Sequence, residues 1–236
     1  MLFSISDIIS FRINSTNRAG KSNNKTLDNS FSYSFPLRRF LFNIAYSTSR
    51  YKLLNKDEFN NPYYSNGVTK NGLFSFDYSL YHSKHITTKI LAGLNYKKSD
   101  NFLNDIYLEI QSYKLLVANL GVSVSYKNEN INSFGSFEIY KGLDYLGATN
   151  NFAEQSINFK KYVLNLGLTQ YFNDKYNSKY DFSFRGQYSK DYIYATEEIS
   201  FGGPYSVRGF KNASLSGNSG FYIRNEFSFL KQVNNY

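Results

Sequence analysis

The sequence predicts an all-β protein, a transmembrane antiparallel β-barrel of which this chain carries about ten strands. Three observations support this fold class. Apolar and polar residues alternate at every second position along most of the chain. The composition is rich in Tyr (23) and Phe (22), yet mean hydropathy is only −0.47, which suits strands with one apolar and one wet face. Tight turns and long loops also alternate between the strands, as in outer-membrane barrels.

No stretch of the sequence is apolar enough to cross a membrane as a helix. The longest runs without a polar residue are about four residues long, as at 115–118, against the roughly 20 that a spanning helix needs. A closed barrel is the other way to span lipid, because it pairs all its backbone polar groups. No signal peptide opens the sequence, so either the chain is soluble or its true start is missing.

The N-terminal part of the chain predicts three strands, at 3–15, 28–36 and 39–51. A tight turn at 36–38 joins the second to the third. The third strand shows the alternation clearly, because every second residue is apolar: Phe40, Phe42, Ile44, Tyr46.

Four strands follow at 70–82, 85–97, 105–126 and 130–141, with tight turns at 83–84 and 127–129. Their second face carries Ser, Asn, Gly, Thr and single charges. The first face of the first three strands carries Phe74, Phe76, Tyr78 and Leu80, then Ile86, Ile90, Ala92 and Leu94, then Leu116, Ala118, Leu120, Val122 and Val124.

The last three strands are predicted at 156–171, 178–193 and 219–231. In the strand 178–193, Phe182, Phe184 and Tyr188 face one way, and polar residues face the other: Asp181, Ser183, Arg185, Gln187, Ser189. No repeat, linker or internal boundary stands out, so the prediction is one partial barrel domain over 1–236.

The connections predict how the strands are oriented. Long loops at 16–27, 52–69, 142–155 and 194–218 alternate with the tight turns, so we expect the turns at one end of the sheet and loop 194–218 at the other. Apolar side chains of a barrel face lipid and polar ones face the lumen. We expect Phe74, Phe76, Tyr78, Leu94, Leu120 and Phe184 toward lipid, and Asp77, Lys89, Asn119 and Arg185 toward the lumen.

Catalytic groupings are nearly absent, so the prediction is a protein that is not an enzyme and holds no cofactor or metal. His82 and His85 flank a predicted turn without a carboxylate cluster or Cys, which favours a surface role. The carboxylate pairs 57–58 and 197–198 lie in predicted loops, where solvation is the simpler explanation. The net charge of +9 is scattered rather than clustered, so a nucleic-acid partner is not favoured.

One long loop carries an unusual segment. Val207, Arg208, Gly209 and Phe210 follow Gly202 and Gly203, and no Lys-Ser/Thr follows that would make a phosphate loop. The segment is either a Gly/Ser-rich surface loop or one folded back into the lumen. In the second interpretation, Gly allows close backbone approach and Arg208 pairs with a carboxylate.

This segment resembles part of a known family. VRGF followed by SGNSGFYIRNEF is similar to the lumenal loop and next strand of the two-partner secretion transporters, the haemolysin secretion/activation proteins of ShlB, FhaC and HecB type. A second stretch resembles the family's "GL..LGA" strand end through Gly142, Leu143, Leu146, Gly147 and Ala148. The resemblance covers most of 70–231.

The resemblance implies an outer-membrane barrel of about sixteen strands, preceded by POTRA domains and a plug helix. Such a barrel exports a large partner polypeptide, a haemolysin or adhesin, and handles no small-molecule substrate. The front domains and last strands are not in this sequence, so we expect a fragment. The Asp expected to pair with Arg208 is then absent, unless Glu226 substitutes.

Charged residues at predicted lumenal positions would line a hydrated path for the partner: Lys89, Glu109, Arg185, Arg224, Glu226. Three alternatives remain open. A barrel-assembly relative shares VRGF but is expected to lack the second motif. A diffusion porin would carry a charged constriction loop where this chain has Gly and Ser, and a soluble β-sheet binding protein would need no detergent.

Overall fold

The computed structural model describes residues 7–17, 24–149, 155–203, 206 and 214–229. These residues form thirteen β-strands and two 3₁₀ turns, at Glu109–Gln111 and Ala195–Glu197. None of the helical segments among them is long and apolar enough to cross a membrane. The strands are β1 (Ile8–Asn17), β2 (Lys25–Leu37), β3 (Phe40–Lys56), β4 (Pro62–His82), β5 (Ile86–Leu103), β6 (Ile106–Tyr107), β7 (Tyr113–Lys127), β8 (Ile131–Leu143), β9 (Lys160–Tyr171), β10 (Lys179–Ser189), β11 (Ile199–Phe201), β12 (Leu215–Gly217) and β13 (Gly220–Ser228).

Ten long strands form one sheet, in the order β1-β2-β3-β4-β5-β7-β8-β9-β10-β13, with β6 paired to β5. Adjacent strands such as β1 and β2, β2 and β3, and β9 and β10 pair antiparallel. The short strands β11 and β12 form a separate antiparallel pair. The predicted all-β antiparallel fold is confirmed, and each of the ten predicted strands has its counterpart.

The predicted loop 52–69 is wrong. β3 continues to Lys56 and β4 begins at Pro62, which leaves only 57–61 as a turn. The Asp57 carboxylate closes that turn by accepting hydrogen bonds from the amides of Phe59 (2.9 Å) and Asn61 (2.7 Å). Backbone pairing needs no apolar side chains, so the strands run on after the apolar alternation has stopped.

The predicted strand 105–126 is also wrong at its start. Asn104 (φ 48°) and Asp105 (φ 65°) turn the chain back, as a two-residue hairpin turn requires, and β6 pairs with the end of β5. The 3₁₀ turn Glu109–Gln111 follows, and the long strand starts only at Tyr113. Other boundaries shift as well: β2 begins at Lys25, β5 ends at Leu103, β9 begins at Lys160, and β10 ends at Ser189.

The chain divides into two compact units. The first comprises residues 1–77, 92–118 and 141–158, and the second comprises 78–91, 119–140 and 159–236.

In the first unit, the two faces of the sheet differ sharply in polarity. The strand register places Ser30 opposite Ser47 and Ser34 opposite Asn43 on one face. The other face carries Phe11, 68% exposed, and a cluster of aromatic rings in mutual contact: Tyr33, Phe35, Phe40, Phe42, Phe74, Phe76. An apolar face left open beside a polar face is the reverse of a soluble sandwich and is typical of a lipid-facing wall.

The second unit has the same inversion. Asn165 bonds Ser136 (3.2 Å) and Thr169 bonds Asp181 (2.7 Å), which defines the polar face of this unit. Leucines and aromatic residues on the opposite face are substantially exposed: Leu80, Leu120, Leu164, Leu166, Tyr188, Phe221, Ile223, Phe227.

The turns of the second unit lie at one end of its strands. The Lys127 amide donates to the His85 carbonyl (2.8 Å), and the Tyr171 amide donates to the Asn130 carbonyl (2.8 Å). Turns 83–85, 128–130 and 172–178 therefore adjoin. The chain after β10 leaves from the other end of that strand, so the predicted opposition of turn 83–84 and loop 194–218 is confirmed within this unit.

Candidate functional site

The chain after β10 folds back onto the polar face of the second unit. We call residues 190–201 and 214–219 the loop base, because they are the two legs of the long loop between β10 and β13. Ile193 (2% exposed), Tyr194 (5%) and Ile199 (2%) of the first leg are buried, as are Phe159 and Val163 of the wall. β11 and β12 pair the two legs together.

An ion pair lies in this buried region. The Lys161 ammonium on β9 is 2.8 Å from a carboxylate oxygen of Glu197 and also donates to the Glu197 backbone carbonyl at 2.8 Å. Their side chains are only 9% and 4% exposed. The same ammonium lies 5.1 Å from the centre of the Tyr140 ring. A buried charge is tolerated only with such partners, because its desolvation is otherwise uncompensated.

A second wall residue ties both legs of the loop base together. Gln187 on β10 donates from its amide to the carbonyls of Glu197 (3.0 Å) and Asn218 (3.2 Å). The Asn218 side chain accepts from the Ile193 amide at 3.1 Å. The antiparallel register places Gln187 directly across from Val163, and strand alternation puts Lys161 and Val163 on the same face.

The polar face continues along β7 and β8. The Glu138 carboxylate accepts hydrogen bonds from Asn119 (3.0 Å) and from the Tyr140 hydroxyl (2.9 Å). Gly121 makes room for it, since a Cβ there would come within 2.5 Å of Glu138 Cγ and of the Phe137 carbonyl. Strand β7 can therefore lie close to the Glu138 side chain because residue 121 has no side chain of its own.

Further along, β10 and β13 carry charges of both signs. Arg224 donates from Nε (2.9 Å) and Nη2 (2.6 Å) to one oxygen of Glu226. Glu226 lies directly across from Asp181 in the strand register. These three side chains and Thr169 are among those that line an open groove of about 400 Å³. The mixture of signs makes this surface hydrophilic without a dominant charge.

In the first unit, the segment after β8 forms a tight turn. Leu146 (φ 55°) and Gly147 (φ 70°) both have positive φ, and the Ala148 amide donates to the Tyr145 carbonyl at 3.1 Å. The chain then returns to β7, where the Thr149 amide donates to the Lys114 carbonyl at 3.2 Å. A Cβ at 147 would lie 2.9 Å from the Lys114 ammonium. The Lys114 side chain is flexible and can move aside, so glycine at 147 is required chiefly by the positive φ of the backbone.

Comparison with known proteins identifies the family. The model of the haemolysin secretion/activation protein family ShlB/FhaC/HecB matches residues 1–236. The chain belongs to this family.

Individual relatives agree with this membership. The outer membrane transporter CdiB of Dickeya dadantii (strain 3937) is 30% identical over 203 residues, covering 84% of this chain and 36% of the relative. The hemolysin transporter protein ShlB of Serratia marcescens is 28% identical over 233 residues, covering 96% and 41%. The solved structure of CdiB from Escherichia coli superposes with a TM-score of 0.80 at 24% identity, covering 89% of this chain and 40% of that one.

Three predictions are confirmed by these matches: the family, the β-barrel fold and the outer-membrane location. The family is a transporter family. The chain spans about two fifths of the length of the relatives it matches, 36% of CdiB and 41% of ShlB.

The structure places the predicted motif residues as follows. Gly142 is buried and Leu143 ends β8, immediately before the turn at Leu146 and Gly147. Gly202 (φ 115°) and Gly203 (φ 97°) both use the backbone region that glycine favours, and Gly202 exchanges two 2.9 Å hydrogen bonds with Ser206. The four residues of the VRGF segment lie outside the described residues: Val207, Arg208, Gly209, Phe210.

The predicted lumenal charges divide into two groups. Arg185, Arg224 and Glu226 lie on the polar face of the second unit, and half-buried Lys89 lies on the opposite side of β5 from exposed Ile86. Glu109 does not lie on a strand as predicted. It is exposed in the 3₁₀ turn before β7.

Both histidines contact residues at the predicted turn and at the neighbouring strand end. His82 Nδ1 lies 2.9 Å from the Thr87 hydroxyl, and His85 Nδ1 lies 3.0 Å from the Lys127 carbonyl. No group of three or more potential metal ligands occurs in the part of the chain that the structure describes.

Sequence reasoning missed the buried pair altogether. The expectation that Glu197 is a solvated loop carboxylate is wrong, because its partner Lys161 and the apolar residues around the loop base take it out of water. The sequence carries no local signal of this pair. Lys161 alternates with Val163 and Asn165 on the polar face, where a cation is ordinarily hydrated, and only the later loop covers it.

Proposed function

We propose that this chain forms part of an outer-membrane barrel wall through which a partner polypeptide, of haemolysin or adhesin type, is exported without breaking any bond. Two of its relatives are named as an outer membrane transporter and a hemolysin transporter. On this proposal the partner is an unfolded secreted chain. The apolar face of the sheet contacts outer-membrane lipid. No nucleic acid, small-molecule substrate or cofactor takes part.

The observation that carries the proposal is the chemistry of the polar face. Its side chains are amides, hydroxyls and charges of both signs, many of them already bonded to one another, as in Asn119 with Glu138 and Arg224 with Glu226. A passing unfolded chain would meet a hydrated surface on which donors and acceptors such as these are already paired with one another. Such a surface binds weakly along its length, which favours passage over retention.

The long loop supplies the second part of the proposal. Its base is packed on the polar face. On this proposal, the segment that the base carries acts on the side along which the partner would move. We assign Arg208 to a gating or structural contact with a lumenal carboxylate, because guanidinium can make a forked pair that an ammonium cannot. Val207, Gly209 and Phe210 would shape the backbone around it.

A secretion assay tests the proposal. The gene for the intact protein is deleted, the partner is tracked by immunoblot in the culture medium and cell fractions, and a plasmid copy is reintroduced. We expect the partner to disappear from the medium on deletion and to return on complementation. Equal amounts in the medium with and without the protein would refute the proposed function.

A further inference from the structure

We propose that Glu197 is a positioning residue for export: through its ion pair with Lys161 it holds the loop base at one place on the wall, and export requires the base to stay there. The inference rests on the proposed function. It concerns neither the VRGF segment nor the lumenal charges predicted from the sequence.

The first argument is that one residue supplies two acceptors to the buried ammonium. Lys161 contacts both the carboxylate and the backbone carbonyl of Glu197, each at 2.8 Å. If the loop base shifted along or away from the wall, both contacts would be lost together. A base that shifted along the wall but still covered Lys161, which is 7% exposed in the packed arrangement, would leave the ammonium buried without its carboxylate, which is strongly unfavourable.

The second argument is that the pair is connected to both legs of the loop base. Gln187 bonds the carbonyls of Glu197 and Asn218, and Asn218 bonds back to the Ile193 amide. Near the strand ends, the Ser219 hydroxyl accepts from the Ser189 amide (2.9 Å) and donates to the Ser189 carbonyl (3.0 Å). The two legs and the wall therefore form one network, with Glu197 bonded to both wall strands.

The third argument comes from comparison with other ion pairs of the chain. Lys98 and Asp100 pair at 2.9 Å but are 36% and 27% exposed, and both belong to β5. Water can replace either partner there, so the pair contributes little. Lys161 and Glu197 instead join a strand to a loop that lies 36 residues away in sequence. The Lys161–Glu197 pair can therefore fix the position of the loop base on the strands, whereas an exposed pair such as Lys98–Asp100 only changes the charge of the surface.

The first experiment compares Glu197→Gln and Lys161→Met with the matched control Asp100→Asn, each in the intact protein. Partner in the medium is measured together with assembled barrel, detected as the heat-modifiable band on a gel. We expect both loop-base variants to export at least about tenfold less partner per assembled barrel. The control should match the wild type. Wild-type export by an assembled Glu197→Gln variant would overturn the inference.

The second experiment covers variants that fail to assemble and tests whether the base stays fixed. This chain has no cysteine, so Lys161→Cys with Glu197→Cys introduces the two thiols. Export should be low before cross-linking, recover when a reducible bismaleimide joins the two positions, and fall again on reduction. If export did not recover on cross-linking, the inference would be overturned. That result is expected if export requires the loop base to move, because the cross-link prevents the movement.

The two hypotheses fail in different ways. If the partner reaches the medium without the protein, the proposed function is wrong whatever the variants do. If export depends on the protein but is indifferent to Glu197 and to the cross-link, only the positioning role is wrong.

Discussion

Two glycines of the second unit allow one substitution to be tested in two environments. At Gly121 on β7, a Cβ would meet Glu138 Cγ and the Phe137 carbonyl, both at 2.5 Å. At Gly167 on β9, a Cβ would meet nothing within 4 Å. Alanine therefore changes the backbone entropy in the same way at both positions, and only the packing differs.

The expected free energies follow from this contrast. Replacing glycine by alanine within a strand should stabilise by about 0.5–1 kcal/mol when space is free, so Gly167→Ala should be neutral or slightly stabilising. At Gly121 the carbonyl is backbone and cannot move aside alone. Overpacking of this kind costs about 1–3 kcal/mol, which leaves Gly121→Ala destabilised by up to about 2.5 kcal/mol.

The assay is urea unfolding of the intact protein in detergent, followed by circular dichroism because this chain contains no Trp. We expect the midpoint of Gly121→Ala to fall and that of Gly167→Ala to stay or rise, with unchanged slopes. Equal shifts for the two variants would refute the packing argument at Gly121. A larger loss at Gly167 would refute it more strongly.

Three further predictions concern the loops and the two faces. In the turn 172–178, hydrogen bonds from the Ser178 hydroxyl and amide lower the pKa of Asp174, so this stabilisation is complete above the ordinary aspartate pKa and is lost as pH falls through the lowered one. The protection factors of the amides in this turn, which correct each exchange rate for the intrinsic rate at that pH, should fall at acid pH, and Asp174→Asn should abolish that dependence. Arg208→Ala and Arg208→Lys should both reduce partner secretion while the barrel still assembles, and normal export by both would make Arg208 an ordinary loop residue. With a spin label on a single introduced cysteine, position 184 should be reached by lipid-soluble quenchers more readily than position 185, and the reverse order would invert the assigned faces.

The strands were predictable because strand formation leaves a local trace. Alternation at every second residue is a property of neighbouring positions, and it located ten strands and the faces of residues such as Leu120 and Asn119. The alternation did not predict strand residues or turns where the alternation of apolar and polar residues stops. β3 and β4 extend through polar residues because their backbones continue to pair, and the hairpin at Asn104 depends on two positive φ values that no alternation reports.

The loop base could not be predicted in the same way. Glu197 stands beside Glu198 in a loop, which by itself indicates solvated carboxylates, and its partner is 36 residues earlier on another strand. Only the return of the chain onto β9 and β10 buries one of these two acids. The other, Glu198, instead accepts a hydrogen bond from Ser216 in an exposed position.

The sequence by itself determined the strand pattern, the exposed apolar face and the family, because each depends on residue type at short spacing or on motifs such as the turn at Gly147. The tertiary structure decided which of two similar glycines is crowded and which of two adjacent carboxylates is buried. Burial is a property of what lies across space, and the contacts of Glu197 and Gly121 come from segments that the chain brings together only when it folds.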